Sequence, residues 1–173
     1  LNGATVIPGL VDSHTHFIEL GAKLESVDLT DVTTEAQAVA RLAERAKSVP
    51  KGEWIFGAGW DEGAWANRYP DKKQLSAAVP DHPVVLRSLH GFAIWTNQAA
   101  LDAGRITRAS PVPVGGEMRL GADGEPGGLF LNRAAAMVDA AVPPEPPAVV
   151  ARHALKGLTQ MATDGYVAVH EAG

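Results

Sequence analysis

The stretch VIPGLVDSHTHF, residues 6–17, constrains the fold of this chain most, because an apolar run ends in two histidines one residue apart. Residues 5–11 are rich in β-branched side chains and predict a strand, whose extended backbone continues through His16. Side chains on a strand alternate between its faces, so Asp12, His14 and His16 project on one side. Imidazole binds zinc and similar ions well. The pattern therefore predicts a metal site on His14 and His16, with Asp12 supporting a ligand.

The alternative is a pair of structural histidines. Six histidines among 173 residues would produce a His-x-His by chance in roughly one such sequence in five. Two buried imidazoles that face the same way without a metal are, however, costly to remove from water. The position of the pair at the end of an apolar strand favours metal ligation.

The composition limits the classes of partner. Net charge is −5, from 15 basic and 20 acidic residues, which argues against nucleic acid or an anionic membrane as the partner. No apolar run approaches the roughly 18 residues needed to span a bilayer, and no segment has the pattern of a signal peptide. The absence of cysteine excludes disulfides and thiolate ligands and fits a reducing compartment. We therefore expect a cytoplasmic protein with a small-molecule substrate.

Alternating strands and helices predict an α/β fold. Besides the opening strand, strands are predicted in EWIFGAGW, HPVVLRSL and YVAVHEA, and apolar runs of this kind are typical of strands buried on both faces of a parallel sheet. Four helices are predicted, at residues 34–49, 96–104, 129–142 and 148–165. Residues 105–128 are rich in Gly and Pro and predict a long loop or a small hairpin.

Two helices carry signals that can be checked residue by residue. Thr34 and Gln37 form a capping box at the start of the first helix, and Gly104 closes the second. In the last helix, the buried face is predicted to contain Val150, Ala154, Leu158 and Met161, which leaves His153 at the surface.

Several stretches together identify a family. VIPGLVDSHTHF resembles the first barrel strand of the amidohydrolase superfamily, which are metal-dependent (β/α)8 hydrolases. Four further stretches are similar in order and spacing to the amidohydrolase-3 branch, the YtcJ-like proteins: WIFGAGWDEGAW, PDKKQLSAAVPDHPVVLRSLHGFAIWTNQAALDAG, GGEMRLGADGEPGGLF and DGYVAVHEAG. The resemblance covers nearly the whole chain, and the combined pattern is specific to the family although each piece alone is weak.

The resemblance implies a fold class and a domain organisation. The chain is expected to be α/β and to form part of a (β/α)8 TIM barrel, truncated at both ends. Residues 1–173 would be the N-terminal part of that barrel, with the Gly/Pro-rich insertion at about 105–128 and a last strand that is the third or fourth of the barrel. A complete barrel takes about 250 residues. The C-terminal half of the barrel and the β-sandwich of the family are expected to be absent.

By the same resemblance, His14 and His16 are the first-strand ligands of a centre with one or two divalent ions, most often zinc. A bound cation lowers the pKa of water towards neutrality and polarises a carbonyl, so the implied reaction is hydrolysis of an amide-type C–N bond. The family requires two more histidines and an aspartate that serves as ligand and base, and these are expected beyond this chain. Alone, the chain should be inactive unless the rest of the barrel or a second copy joins it.

Other residues have both a functional and a structural interpretation. On the last strand, His170 or Glu171 must face inward and would ligate or support the metal; alternatively, they form a polar strand end that faces solvent. Trp60, Asp61 and Trp65 follow a strand and suit a substrate pocket, whereas the structural alternative is packing of the tryptophans beneath a loop.

The region after the next strand departs from the family pattern. Arg87 is a candidate for binding a substrate carboxylate if it faces inward. Relatives carry Asp-Gly-His where this chain has His90, Gly91 and Phe92, so a pocket role for His90 stays open beside a lost local role. Asn132 stands where relatives often have an acidic residue. These departures motivate a second hypothesis, a degenerate barrel that binds a ligand without catalysis, and a third, a truncated polypeptide without function of its own.

Overall fold

The structure is a computed structural model that describes residues 2–65 and 69–173. In chain order, its elements are β1 (Leu10–Thr15), α1 (Phe17–Glu25), β2 (Val27–Asp28), α2 (Glu35–Ala46), β3 (Ile55–Trp60), α3 (Lys72–Ala78), β4 (Val84–Ser88), β5 (Ala93–Thr96), α4 (Gln98–Ala103), β6 (Gly116–Leu120), β7 (Pro126–Asn132), α5 (Ala135–Asp139), α6 (Pro147–Thr163) and β8 (Tyr166–Glu171). In the described part of the chain, no helix has the length and apolar character required to cross a membrane.

The chain divides into two compact units. The first unit comprises Leu1–Glu25 and Pro144–Gly173 and contains β1, α1, α6 and β8. The second comprises Ser26–Pro143 and contains the elements between them. Each unit combines strands with helices, so the predicted α/β class is confirmed. The division into two units was not predicted from the sequence.

The strands of the first unit, β1 and β8, form a two-stranded parallel sheet. Leu10 lies opposite Tyr166 and Thr15 lies opposite Glu171, with irregularities of register between these pairs. Strand β8 pairs directly with β1, and its expected number within a barrel, third or fourth, stays a prediction. Two adjacent parallel strands are compatible with a barrel, and the barrel itself stays a prediction.

The helices of the first unit pack against each other through two glycines. A Cβ atom added at Gly21 would overlap the carbonyl oxygen of His153, and one added at Gly157 would overlap the carbonyl oxygen of Phe17. Backbones can approach so closely only where a side chain is absent. Helix α1 begins directly after His16 and was not predicted.

The buried face of α6 differs from the predicted one. Its buried residues are His153, Gly157 and Met161, whereas Leu158 is 39% exposed. The expected surface position of His153 is therefore wrong. The reason is the glycine contact, which turns this side of α6 towards α1.

The second unit is built on a six-stranded sheet in the order β2-β3-β4-β5-β7-β6. Strands β2, β3 and β4 are parallel, as the apolar runs predicted, while β5, β7 and β6 pair in antiparallel fashion. The hairpin of β6 and β7 confirms the hairpin alternative for the Gly/Pro-rich region.

Strand β7 replaces part of a predicted helix. Residues 129–142 were predicted to be helical, but only Ala135–Asp139 forms α5. Leu129 and Leu131 belong to one buried apolar cluster and Phe130 belongs to another. This alternation with period two fills a core on both sides of the sheet, and it is the pattern of a strand buried on both faces.

Two predicted helix ends are confirmed. The Thr34 side chain accepts a hydrogen bond from the Gln37 N–H at 3.3 Å and caps α2. Helix α4 begins after Asn97, whose side chain accepts from the Ala100 N–H, and it ends at Gly104. Such caps satisfy donors that the first turn leaves without partners.

Candidate metal centre

The end of β1 brings the rings of His14 and His16 together. Their centres lie 5.7 Å apart with an interplanar angle of 90°. Thr15, between them in sequence, places its hydroxyl 3.9 Å from the sulfur of Met161 on α6. Because neighbouring residues on a strand point to opposite faces, the two rings lie on the side of β1 away from α6. Both histidines are exposed.

The spacing of the two rings fits a shared ion. A zinc–nitrogen distance of about 2.0–2.1 Å would place the centres of two imidazoles on one ion about 5–6 Å apart. The observed 5.7 Å between His14 and His16 lies within that range. The distance between the two rings is therefore compatible with two nitrogen ligands of one ion.

Asp12 acts on the backbone that carries the first histidine. Its Oδ1 accepts a hydrogen bond from the His14 N–H at 3.0 Å. The register of β1 against β8 is irregular between Asp12 and Thr15, and such irregularities change the direction in which a side chain points. The carboxylate therefore fixes the local backbone beneath His14.

Glu171 is the residue of β8 that reaches a histidine. Its Oε1 lies 3.5 Å from His16 Nδ1. Its Oε2 accepts a hydrogen bond from the Ile18 N–H at 3.2 Å, at the start of α1, and Oε1 accepts one from the Ala172 N–H at 3.2 Å. Burial raises the pKa of this carboxyl, but the N–H groups of Ile18, Gly173 and Ala172 outweigh it and hold the pKa below its ordinary value. Glu171 is therefore ionised beside His16 at neutral pH.

Within residues 2–65 and 69–173, no group of three or more His, Asp or Glu side chains could hold a metal ion. The two imidazoles are thus an incomplete donor set in this part of the chain. Both oxygens of Glu171 already accept backbone hydrogen bonds. His170 is exposed and, as the neighbour of Glu171 on β8, points to the opposite face.

The tryptophans predicted for a substrate pocket lie in the core of the second unit. Trp60 is 0% exposed and Trp65 is 4% exposed. Their indole N–H groups donate to the carbonyls of Leu86 and Val32, both at 3.0 Å. Both rings also pack against Trp95. The structural alternative, packing, therefore accounts for both residues.

The polar pocket candidates of the second unit have local partners. Asp61 accepts a hydrogen bond from the Gly63 N–H at 2.7 Å and shapes a turn. Arg87 is 49% exposed and forms an ion pair with Asp139 of α5. His90 is exposed in the β4–β5 turn.

The two departures from the family pattern also lie near this turn. Phe92 is 61% exposed, and its carbonyl accepts a hydrogen bond from the Asn132 N–H at 2.7 Å. Asn132 has φ 53°, in the left-handed region that asparagine tolerates better than most residues. Asn132 thus ends β7 through its backbone conformation.

A buried histidine lies between two carboxylates in the first unit and was not predicted from the sequence. His153 Nε2 lies 3.3 Å from Glu25 Oε2, and Nδ1 lies 3.3 Å from Glu145 Oε2. The hydrogen bond of Arg152 is the largest influence on Glu25 and, despite burial, lowers the pKa of its carboxyl. The hydrophobic periodicity of one helix contains no information about its contacts with another helix, so the contact between α1 and α6 could not be predicted from it.

A family model described as the amidohydrolase family matches residues 1–173 of this chain. The chain belongs to the amidohydrolase family. Its place in the amidohydrolase-3, YtcJ-like branch follows from YtcJ of Bacillus subtilis strain 168, which is 40% identical over 145 residues. That alignment covers 83% of this chain and 27% of YtcJ.

Two other relatives of this amidohydrolase chain come from different organisms. LONG AFTER FAR-RED 3 of Arabidopsis thaliana is 30% identical over 80% of the chain and 24% of its own length. An N-substituted formamide deformylase of Arthrobacter pascens is 28% identical over 82% of the chain and 27% of its own length. The chain thus spans about a quarter of the length of these relatives.

Two solved structures share the fold of this amidohydrolase chain. They are uncharacterised metal-dependent hydrolases from Pyrococcus horikoshii OT3 and Pyrococcus furiosus, with TM-scores of 0.68 and 0.70. Sequence identities are 22% and 23%, each match covers 94% of this chain, and the matches cover 30% and 31% of the neighbours.

Proposed function

We propose that this chain supplies the first ligands of a metal-dependent hydrolase that acts on carbon–nitrogen bonds. The observation that carries the proposal is the pair of imidazoles at the end of β1, with centres 5.7 Å apart, in a chain of the amidohydrolase family. The relative from Arthrobacter pascens, an N-substituted formamide deformylase, supports C–N bond hydrolysis. The two structural neighbours, described as metal-dependent hydrolases, support the metal.

In this proposal, His14 and His16 hold a divalent ion, zinc, through their free ring nitrogens. Such an ion polarises a carbonyl and makes water a nucleophile near neutral pH. Asp12 holds the backbone that sets the direction of His14. The substrate is a small molecule with an amide-type bond, such as an N-substituted formamide.

The remaining ligands and the base come from residues outside this chain, which complete a (β/α)8 barrel. Two facts support this part of the proposal. The described residues contain no set of three ligands, and the chain spans about a quarter of its relatives. A site with only two imidazoles binds an ion but lacks a base to transfer protons, so the chain alone is inactive.

Metal binding by the 173-residue chain tests the ligand pair. The metal-free chain is titrated with Zn²⁺ by calorimetry and with Co²⁺ by absorption. We expect one ion per chain, and His14→Ala or His16→Ala should each lower the affinity by at least the roughly 10–100-fold that loss of a supporting residue produces. His90→Ala, an exposed histidine of the second unit, is the matched control and should leave the affinity unchanged.

Equal affinities for His14→Ala, His90→Ala and the parent chain would contradict the ligand assignment. Absence of metal binding with both histidines intact would instead favour a protein that binds a ligand without catalysis. Hydrolysis of N-substituted formamides and acetamides is then compared between the zinc-loaded chain and any longer polypeptide that its gene encodes. Activity of the chain alone would refute the need for further ligands.

A further inference from the structure

The carboxylate of Glu171 is anchored independently of the histidines. One oxygen accepts a hydrogen bond from the Ile18 N–H and the other from the Ala172 N–H, each at 3.2 Å. The Ile18 N–H belongs to the first turn of α1, where N–H groups lack helical partners and favour a negative charge. These two hydrogen bonds hold the carboxylate in place without any contribution from the histidines.

The same carboxylate faces one edge of the His16 ring. Glu171 Oε1 lies 3.5 Å from His16 Nδ1. The backbone of Gly173 lies against this edge too, because a Cβ atom added there would come within 3.2 Å of both Cε1 and Nδ1 of His16. The Nδ1 edge is thus enclosed by Glu171 and Gly173, and Nε2 is the nitrogen on the other side of the ring.

We propose that Glu171 is a positioning residue, which keeps the proton of neutral His16 on Nδ1 and leaves the Nε2 lone pair for a metal. Both oxygens of Glu171 accept backbone hydrogen bonds, so its contact with His16 Nδ1 is favourable when that nitrogen carries the proton and can donate. A neutral imidazole carries one proton, and the other nitrogen is then unprotonated. Metal-binding histidines commonly direct their second nitrogen to such a carboxylate. The role of Glu171 in metal binding rests on the proposed function, whereas the position of the proton on His16 is independent of it.

A purely structural role for Glu171 would be to cap α1. Loss of that role would lower stability but would leave the proton distribution of His16 unchanged. The two roles therefore differ in a spectroscopic signature. His14 serves as an internal reference, because the described part of the chain places no carboxylate beside its ring.

The test is the tautomeric state of His16 in the metal-free, ¹⁵N-labelled 173-residue chain, read from long-range ¹H–¹⁵N correlations at about pH 8, above the ordinary imidazole range. His16 is assigned by its loss in His16→Ala. We expect the Nδ1–H form in the parent chain. In Glu171→Gln, the side-chain amide can donate to Nδ1 and should shift His16 to the Nε2–H form. Glu171→Ala should also lose most of the Nδ1–H form, because a neutral imidazole without a partner favours Nε2–H. Glu19→Gln, an exposed glutamate of α1, is the control and should change nothing.

Zinc affinity provides the second measurement. Glu171→Gln should weaken binding about 10–100-fold, and Glu19→Gln should not. An Nε2–H form of His16 in the parent chain, or an Nδ1–H form that persists in both Glu171→Gln and Glu171→Ala, overturns the proposal. Failure of the parent chain to bind zinc would refute the metal proposal alone, because the tautomer is measured without metal.

Discussion

The tryptophans of the second unit and the candidate metal ligands of the first unit place their polar groups in opposite ways. In the second unit, the indole N–H groups of Trp60, Trp65 and Trp95 are buried, and each donates to a backbone carbonyl at 2.9–3.0 Å. In the first unit, His14 and His16 stay exposed. Buried polar groups with partners specify a core, whereas exposed imidazoles are available to a ligand.

The apolar surfaces differ in the same way. The second unit buries a continuous cluster from Leu29 to Leu131, while Val11 and Val167 of the β1–β8 pair are 61% and 72% exposed. In the first unit, the backbones of α1 and α6 approach each other closely at Gly21 and Gly157. Buried apolar side chains are therefore concentrated around the six-stranded sheet, whereas the candidate metal ligands lie on a strand pair with little burial.

The largest expected effect is in the core of the second unit. Trp60→Ala removes a side chain that is 0% exposed, together with its hydrogen bond to Leu86, and should lower the free energy of unfolding by about 3–5 kcal/mol. Urea unfolding followed by circular dichroism measures the change. Trp54→Ala is the matched control, because Trp54 is only partly buried, and its loss should be clearly smaller. Equal losses for the two variants would show that the cluster is not the centre of stability.

The second effect tests backbone packing in the first unit. Gly157→Ala places a Cβ atom against the carbonyl of Phe17, and overpacking of this kind lowers stability by about 1–3 kcal/mol. Helix propensity alone predicts the opposite sign, a gain of about 1 kcal/mol. The sign of the change in stability, measured by thermal unfolding, therefore distinguishes the packing effect from the propensity effect.

Ala151→Gly, an exposed position of the same helix, measures the propensity contribution by itself. It should lower the free energy of unfolding by up to about 1 kcal/mol. If Gly157→Ala stabilises the chain by a similar amount, the close contact of α1 with α6 is refuted.

The sequence predicts elements whose signals are local. The Thr34 cap, the Gly104 helix end and the strand that carries His14 are each defined by residues within one turn or one pleat. The two helix ends are confirmed, and the strand is confirmed over Leu10–Thr15, shorter than the predicted residues 5–16. The division into two units is different in kind. It depends on Leu10 pairing with Tyr166 across the whole chain, and no local pattern contains that information.

The errors have the same physical origin. His153 is buried because Gly21 of another helix meets its backbone, so the face of α6 is set by a partner and not by its own periodicity. Residues 129–132 favour a helix by composition, yet they form a strand because a core lies on each face of the sheet. Of the candidate site, the sequence predicted the ligand pair and offered His170 or Glu171 as a supporting residue. That Glu171 is the one in contact with His16 depends on strand pairing.

The smallest effect concerns an exception to the well-paired core of the second unit. Glu35, at the start of α2, has an Oε1 atom that is buried without a hydrogen-bond partner in the described residues. Burial, and then repulsion from Asp71, raises the pKa of its carboxyl above the ordinary value of 4.5. The folded state therefore holds this proton more tightly than the unfolded state does. Stability is greatest below pH 4.5 for this group and is lost as pH rises through the folded pKa.

Glu35→Gln should remove the loss of stability that accompanies ionisation of the Glu35 carboxyl. We expect the variant to melt higher than the parent chain at pH 7, with a difference that shrinks towards pH 4, because the parent carboxyl becomes protonated. Glu44→Gln is the control, since Glu44 is exposed in an ion pair with Lys47, and it should change stability by no more than about 0.5 kcal/mol. The N-terminus of a helix favours negative charge, and this attraction opposes the destabilisation of the ionised Glu35 carboxylate. A variant that melts lower than the parent at pH 7 would mean that this attraction exceeds the combined effect of burial and Asp71.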